Sequence, residues 1–236
     1  LIMASFSAAA ASDEVLLNAS AGVFYDSNRT LAEDDKTELT GTYQRARIGY
    51  QSETETTTFT SAFSGVEEQL QDYENSENDS VALSLEGTGN FERSNLYGSV
   101  LVQQDTTLAT EVRAAGLSSE NKDRTYTTAT GGYGYRLTPR DQFDVGVSAE
   151  HADYDDIRSS QLAEYIYYGV NTGYSRSLSE TGKLQLQIYE SILDNERSGM
   201  THDTTGVRAN WNQQLTAVWR MKAGMTFENR DFRGDP

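Results

Sequence analysis

The stretch that decides the fold runs Lys183-Leu184-Gln185-Leu186-Gln187-Ile188-Tyr189-Glu190-Ser191-Ile192. Leucine or isoleucine stands at every second position from Leu184 to Ile188 and again at Ile192, while glutamine, tyrosine and serine stand between them. A period of two is typical of a β-strand, because successive side chains of a strand point to opposite faces of the sheet. The stretch therefore predicts a strand with one apolar face and one polar face.

The same alternation recurs along the chain, beginning with the segment from Val15 to Tyr25. Further apolar rows occupy alternate positions in residues 81–91, 143–149, 207–211 and 219–227. Helical spacing of three and four residues is not sustained in any of these segments. We therefore predict an all-β chain with about eleven strands, whereas bacterial membrane barrels have even strand numbers.

The predicted connections alternate between short and long. Short polar links lie near residues 52–55, 92–95, 138–141, 179–182 and 215–218, and longer acidic stretches lie at 26–36, 67–79, 105–122, 153–163 and 194–204. An antiparallel meander with such links has all its long loops at one end. Outer-membrane β-barrels have this layout.

The predicted strands are long enough to cross a bilayer. Windows such as 125–137 and 164–178 exceed the five or six residues of an ordinary strand and suit the roughly 9–11 residues that a tilted membrane strand needs. Because every backbone group in hydrocarbon must be paired within the protein, a membrane sheet has to close on itself. The predicted fold class is an all-β, antiparallel up-and-down transmembrane β-barrel, incomplete in this chain because the strand count is odd.

The composition agrees with one apolar face per strand. The chain has 236 residues, of which 36 are acidic and 19 basic, and the net charge of −17 disfavours nucleic acid as a partner. Its mean hydropathy is −0.63, as expected when half of each strand faces water. Since the sequence holds no cysteine, disulfides and thiolate metal ligands are excluded. We predict no metal and no cofactor.

The two ends of the chain carry separate predictions. Residues 1–11 are apolar and end in alanines before Ser12-Asp13-Glu14, which is typical of the end of a secretory signal peptide. We expect residues 1–11 to be the remnant of that peptide and residues 12–236 to be the outer-membrane barrel. The chain stops at Gly234-Asp235-Pro236, just after an alternating segment, and we expect the C-terminal strands of the barrel to be missing.

Three segments resemble the strand–turn–strand sequences of proteobacterial outer-membrane β-barrel proteins: Tyr133 to Asp141, Asp153 to Asp156, and Gly173 to Glu180. The resemblance covers nearly all of residues 15–232 and rests on architectural motifs. It implies a barrel in the outer membrane of a Gram-negative cell. Some members of this loose group are encoded with exopolysaccharide loci, and most have no assigned activity, so no functional residue is carried over.

The polar faces of two neighbouring strands supply the candidate site. Six side chains project opposite the apolar faces of their strands and are predicted to line a water-filled lumen: Gln185, Gln187, Tyr189, Arg208, Asn210 and Asn212. Polar side chains around a pore set its selectivity through size and charge. The alternative is a closed barrel whose interior these side chains fill with hydrogen bonds.

Two further patterns concern the ends of the strands. Aromatic residues near strand ends predict interfacial girdles: Tyr25, Tyr50, Tyr97, Tyr133, Tyr135, Tyr165, Tyr167, Tyr174, Trp211, Trp219 and Phe227. His202-Asp203 and Asp155-Asp156 are predicted to lie in outer loops, where a His–Asp pair facing an Asp pair can activate water. Because acidic residues occur in all the long links of this chain, the two pairs do not by themselves indicate a catalytic site, and no catalytic residue is assigned.

These observations predict a pore, or an export or uptake channel for solute or polysaccharide, and not an enzyme. Its expected partners are outer-membrane lipid and lipopolysaccharide, the latter bridged weakly to the acidic loops by divalent cations. A structural or adhesive barrel with acidic extracellular loops is the first alternative, and a hydrolase at the barrel mouth is the second. A soluble secreted β-protein is the alternative fold.

Overall fold

The computed structural model describes residues 12–26, 39–70, 79–106, 122–155, 164–195, 199–215 and 218–234. Within these ranges the chain forms eleven strands: β1 Ser12–Asp26, β2 Leu39–Glu53, β3 Thr57–Leu70, β4 Ser80–Asn90, β5 Ser94–Thr106, β6 Asp123–Arg136, β7 Asp141–Tyr154, β8 Tyr165–Ser177, β9 Gly182–Asn195, β10 Met200–Gln214 and β11 Arg220–Gly234. The predicted signal-peptide remnant, residues 1–11, lies outside the described residues, as does most of the predicted long links at 26–36, 67–79, 105–122 and 153–163.

The eleven strands belong to one antiparallel sheet in which the spatial order is the chain order. Each strand is hydrogen-bonded to the strands before and after it, so the arrangement is an up-and-down meander. In the described part of the chain, β1 and β11 are the edge strands. The predicted all-β, antiparallel up-and-down fold is confirmed.

The strands divide between two compact units, residues 1–90 with 101–123 and residues 91–100 with 124–236. In the first unit, the register places Leu17, Ile48, Phe63 and Leu83 in one row across β1 to β4. Residues that pair across an antiparallel ladder lie on the same face of the sheet. The row therefore joins the apolar positions of four strands, as the alternation in each strand predicts.

The second unit repeats this arrangement over more strands. One row crosses β6 to β11 through Tyr133, Val145, Thr172, Ile188, Val207 and Phe227. The register of each pair keeps valine, isoleucine and aromatic residues together on one face. Because a shift by one residue would move a whole strand's apolar set to the other face, the hydrophobic pattern fixes this register.

Short links close the turns at one end of the second unit, at residues 91–93, 137–140 and 178–181. Thr138 Oγ1 accepts a hydrogen bond from the backbone N–H of Asp141 at 3.1 Å, and Ser179 Oγ accepts one from Thr181 at 3.3 Å. Serine and threonine oxygens stabilise tight turns in this way. The predicted short polar links are confirmed here, whereas the link at 215–218 is only partly described.

Two strands extend further than the sequence predicts. β3 continues to Leu70 and β10 begins at Met200, so residues 67–70 and 200–204 are paired strand and not part of long links. Backbone pairing does not require apolar side chains. A strand therefore continues beyond the apolar band that reveals it in the sequence.

Glycines differ in how closely the neighbouring strand approaches them. A Cβ atom at Gly41 in β2 would lie 2.7 Å from the backbone oxygen of Gln69 and 2.7 Å from Cζ of Phe24. At Gly65 in β3 of the same unit, the nearest atom to such a Cβ is 3.9 Å away. Packing therefore requires glycine at position 41 and not at position 65.

We predict that Gly41→Ala lowers the free energy of unfolding by about 1–3 kcal/mol, because the backbone of β3 has to move away from the new methyl group. Gly65→Ala is the matched control, with an expected change of less than about 0.5 kcal/mol. Urea unfolding in phospholipid vesicles, followed by tryptophan fluorescence, measures both values. Equal losses in the two variants would contradict the packing argument.

Candidate functional site

The two faces of the sheet differ in chemistry and in exposure. In β9 the side chains of Leu186 and Ile188 are 43% and 56% exposed, whereas Gln187 and Tyr189 beside them are half-buried. In β4 and β7, valine and leucine side chains are likewise more exposed than most of the polar or small residues that alternate with them. In these three strands the apolar side chains therefore lie on the more exposed face, and the polar or small residues lie on the less exposed one.

Very few apolar side chains are buried. Among the residues that the structure describes, the buried apolar set comprises Ala62, Ala152 and Tyr154. Leaving a leucine or isoleucine side chain in water costs about 1.5–3 kcal/mol relative to burying it, and soluble proteins rarely expose contiguous apolar surface of this extent. Hydrocarbon removes that cost, so the exposed rows form a lipid-facing surface.

Paired polar groups mark both ends of the lipid-facing rows in the second unit. At the short-link end, Tyr174 Oη donates a hydrogen bond to Asp141 at 2.5 Å, and Arg176 Nε lies 3.7 Å from the same carboxylate. At the opposite end, Arg233 lies 2.8 Å from Asp203. Such groups are expected where a lipid-facing surface reaches the headgroups and water.

The structure brings the six predicted lumen residues together on the polar face of β9 and β10. The cross-strand pairs are Gln185–Asn210, Gln187–Arg208, Tyr189–Gly206 and Lys183–Asn212. All of these positions lie opposite the lipid-facing rows of the same strands. The placement follows the alternation in the sequence, and the role in lining a pore stays a prediction.

Tyr189 is held in place by three neighbouring residues, one of which is itself paired with a fourth. Its Oη donates a hydrogen bond to Glu228 Oε2 at 2.9 Å, and the guanidinium carbon of Arg208 lies 5.4 Å from the ring centroid. The ring lies over Gly206, where a Cβ atom would clash with it. Arg230 pairs with the same glutamate. The ring is therefore fixed against the sheet, and Glu228 and Arg230 beside it form an ion pair.

The sequence pattern alone does not identify Glu228 and Arg230 as members of this site. Both belong to the polar positions of β11, and the register places them beside Gly206 and Thr204 of β10. Their alternation with Phe227 is visible in the sequence, but their proximity to Tyr189 depends on how three strands pair. A comparable arrangement occurs in the first unit, where Arg45 lies 3.6 Å from the buried carboxylate of Glu68.

The predicted aromatic girdles are wrong for three residues. The ring of Tyr97 lies over Gly132 on the polar face, and Tyr165 and Tyr167 are polar-face positions of β8. Tyr165 donates a hydrogen bond to Glu150 there. Seven others do occupy the lipid-facing side: Tyr25, Tyr50, Tyr133, Tyr135, Tyr174, Trp211 and Phe227. The phase of the strand, and not closeness to its end, decides which face an aromatic residue occupies.

The histidines do not form the predicted loop arrangement. His202 and Asp203 lie within β10, where consecutive side chains point to opposite faces. The His202 ring stacks on Phe232 with centroids 4.3 Å apart, and Asp203 is paired with Arg233. His151 is an exposed lipid-facing position of β7. Of the Asp155-Asp156 pair, Asp156 lies outside the described residues.

Neither a metal site nor a helical span is found in the described ranges. Within them, no group of three or more histidine, aspartate or glutamate side chains is arranged to hold a metal ion. No helix among these residues is long and apolar enough to cross a membrane.

An antiparallel, up-and-down sheet with one lipid-facing side and one water-facing side is typical of proteins that span the outer membrane with strands. The strands here have 11 to 15 residues, more than a tilted strand needs to cross a bilayer. The fold and its two faces define a protein of the outer-membrane β-barrel class. The predicted location in the outer membrane follows from the same two observations.

No protein-family model matches the chain, and no curated protein matches it. The chain is similar in structure to in-vitro folded OmpT of Vibrio cholerae, an outer membrane protein, in its trimer form (TM-score 0.49, 9% identity, 94% of this chain and 89% of that one). For a loop-deletion mutant of OmpT, the TM-score is 0.49 and the sequence identity is 8%, and the similarity covers 94% of each chain. For an outer membrane channel of Pseudomonas putida, the TM-score is 0.45 and the sequence identity is 13%, and the similarity covers 95% of this chain and 92% of that one. Similarities this distant carry no conclusion about activity, and the link to exopolysaccharide loci stays a prediction.

We predict that Ile188→Lys lowers the free energy of unfolding in lipid by about 2–4 kcal/mol, because the new ammonium group faces hydrocarbon. Gln187→Lys, one residue away on the polar face, is expected to cost less than about 1 kcal/mol. Urea titrations of the protein in phosphatidylcholine vesicles provide both values. If Gln187→Lys lowers the free energy of unfolding more than Ile188→Lys does, the assignment of the two faces is reversed.

Proposed function

We propose that the chain forms part of the wall of a water-filled passage through the outer membrane, and that solute moves along its polar face. The observation that supports this proposal is the inverted exposure of the strands. Apolar rows are open to the surroundings, and glutamine, asparagine, tyrosine and arginine side chains line the other face. A sheet with this chemistry separates lipid from water.

The polar face also has the chemistry of a hydrated surface. Near Tyr189 the carboxylate of Glu228 is paired, since it accepts hydrogen bonds from the tyrosine and from Arg230. Glycines such as Gly206 allow side chains from the next strand to lie flat on the sheet. Flat, paired side chains leave space above the sheet, whereas a face built to fill an interior needs large side chains that stand away from it.

Two alternatives receive less support from the described residues. The hydrolase requires a His–Asp pair, and His202 and Asp203 face opposite sides of β10 and contact other residues. The structural or adhesive barrel depends on long acidic links that mostly lie outside the described residues. Lipid and lipopolysaccharide are the proposed partners of the apolar rows, and small solutes or polysaccharide are the proposed cargo.

The absence of native cysteine allows a direct test of the proposed passage. We predict that Gln187→Cys reacts with a membrane-impermeant, positively charged thiosulfonate, and that the reaction lowers the single-channel conductance in a planar bilayer by at least about a third, because the added group narrows the aqueous path and changes its charge.

Ile188→Cys is the matched control, since its side chain faces lipid. It is expected to resist the reagent and to keep its conductance. If the wild-type protein shows no step currents in the planar bilayer, the passage is excluded. Equal modification of both cysteines would contradict the assignment of the polar face to water.

A further inference from the structure

One corner of the polar face carries a concentration of positive charge, although the chain has a net charge of −17. Lys183 in β9 and Lys222 in β11 pair in the register with the two sides of Asn212 in β10. Arg220 lies two residues before Lys222, on the same face of β11. We call Lys183, Arg220 and Lys222 the cationic corner.

Unlike Arg176, Arg230 and Arg233 of the second unit, the three cations of this corner have no paired carboxylate among the described residues. No aspartate or glutamate among the described residues lies within 4.0 Å of any of the three. By contrast, Arg176 is paired with Asp141, and Arg233 is paired with Asp203 and Asp231. Positive charges without their own counter-ions raise the local concentration of mobile anions.

The geometry allows the cations to act together. Lys183 and Lys222 are two strands apart, which places their backbones about 10 Å from each other. Lysine side chains are long and flexible, so both ammonium groups can approach one anion above Asn212. Arg220 adds a planar guanidinium, which binds phosphate or carboxylate oxygens through two parallel hydrogen bonds.

A cavity of about 280 Å³ lies at this position. It is lined by Lys183 and Arg220, and by the hydrogen-bonding side chains of Ser177, Asn212 and Gln214. Glu180, in the short link between β8 and β9, also lines it, so the net charge of the lining is +1 before Lys222 is added. The volume suits a small solute and not a folded partner.

We propose that the cationic corner binds small polyanions, meaning solutes with two or more phosphate or carboxylate groups, at the short-link end of the polar face. The inference deepens the proposed function and rests on it in one respect, because the anion has to reach the corner from water on the polar face. The corner is then the place where the passage distinguishes anions from neutral solutes. Binding weakens as salt rises, since the charges are exposed and screened.

The test is a calorimetric titration of the protein in neutral detergent with sodium tripolyphosphate at low salt. The wild-type protein is expected to bind one equivalent, and the triple variant Lys183→Gln, Arg220→Gln, Lys222→Gln is expected to bind at least about ten-fold more weakly, because the charge attraction is lost. Arg176→Gln is the control, since it removes a cation near the same end of the sheet on the lipid-facing side. A heat-modifiable shift on electrophoresis confirms that each variant is folded.

Equal affinity of the wild-type and triple variants, or an equal loss in Arg176→Gln, would overturn the proposal. A second titration uses a short-chain phosphatidylglycerol, which offers the same phosphate chemistry on a lipid. Binding of this lipid in preference to tripolyphosphate would place the site at the membrane surface and also overturn it. Because the titration needs no conductance, a protein that binds tripolyphosphate but passes no current would contradict the proposed passage alone.

Discussion

Backbone hydrogen bonding between neighbouring strands is the constraint on which the rest of this structure depends. In hydrocarbon an unpaired N–H or C=O group costs several kcal/mol, so each strand has to run beside the next over the full depth of the membrane. The ladder of β1 with β2 satisfies this requirement from Ser12 to Asp26, and the ladder of β10 with β11 does so from Met200 to Gln214. Side-chain chemistry is then free to differ between the faces.

The pairing turns a period of two in each strand into two continuous surfaces. Rows such as Leu17, Ile48 and Phe63 present hydrocarbon to lipid, and their neighbours present amide, hydroxyl and charged groups to water. A soluble sheet would bury the first surface and expose the second. Here the apolar surface is the exposed one. This exposure explains how a chain of low mean hydropathy can lie in a membrane.

Charge on the polar face is organised in two different ways. Around Tyr189 the carboxylate of Glu228 is shared by the tyrosine and Arg230, and Arg208 lies over the tyrosine ring. Around Asn212 the cations have no such partner in the described part of the chain. A passage wall with unpaired cations in one region offers mobile anions a defined place to bind.

The sequence by itself determined the fold class, the number of described strands, the positions of the short links and the face on which Gln187 and Arg208 lie. It could do so because alternation is a local property of each strand. The tertiary structure alone decided which residues of different strands meet. Glu228 contacts Tyr189, Asp203 pairs with Arg233, and Lys183 and Lys222 lie on either side of Asn212 because of the register of β9 to β11. Register between strands depends on pairing across many residues, and no single strand contains that information.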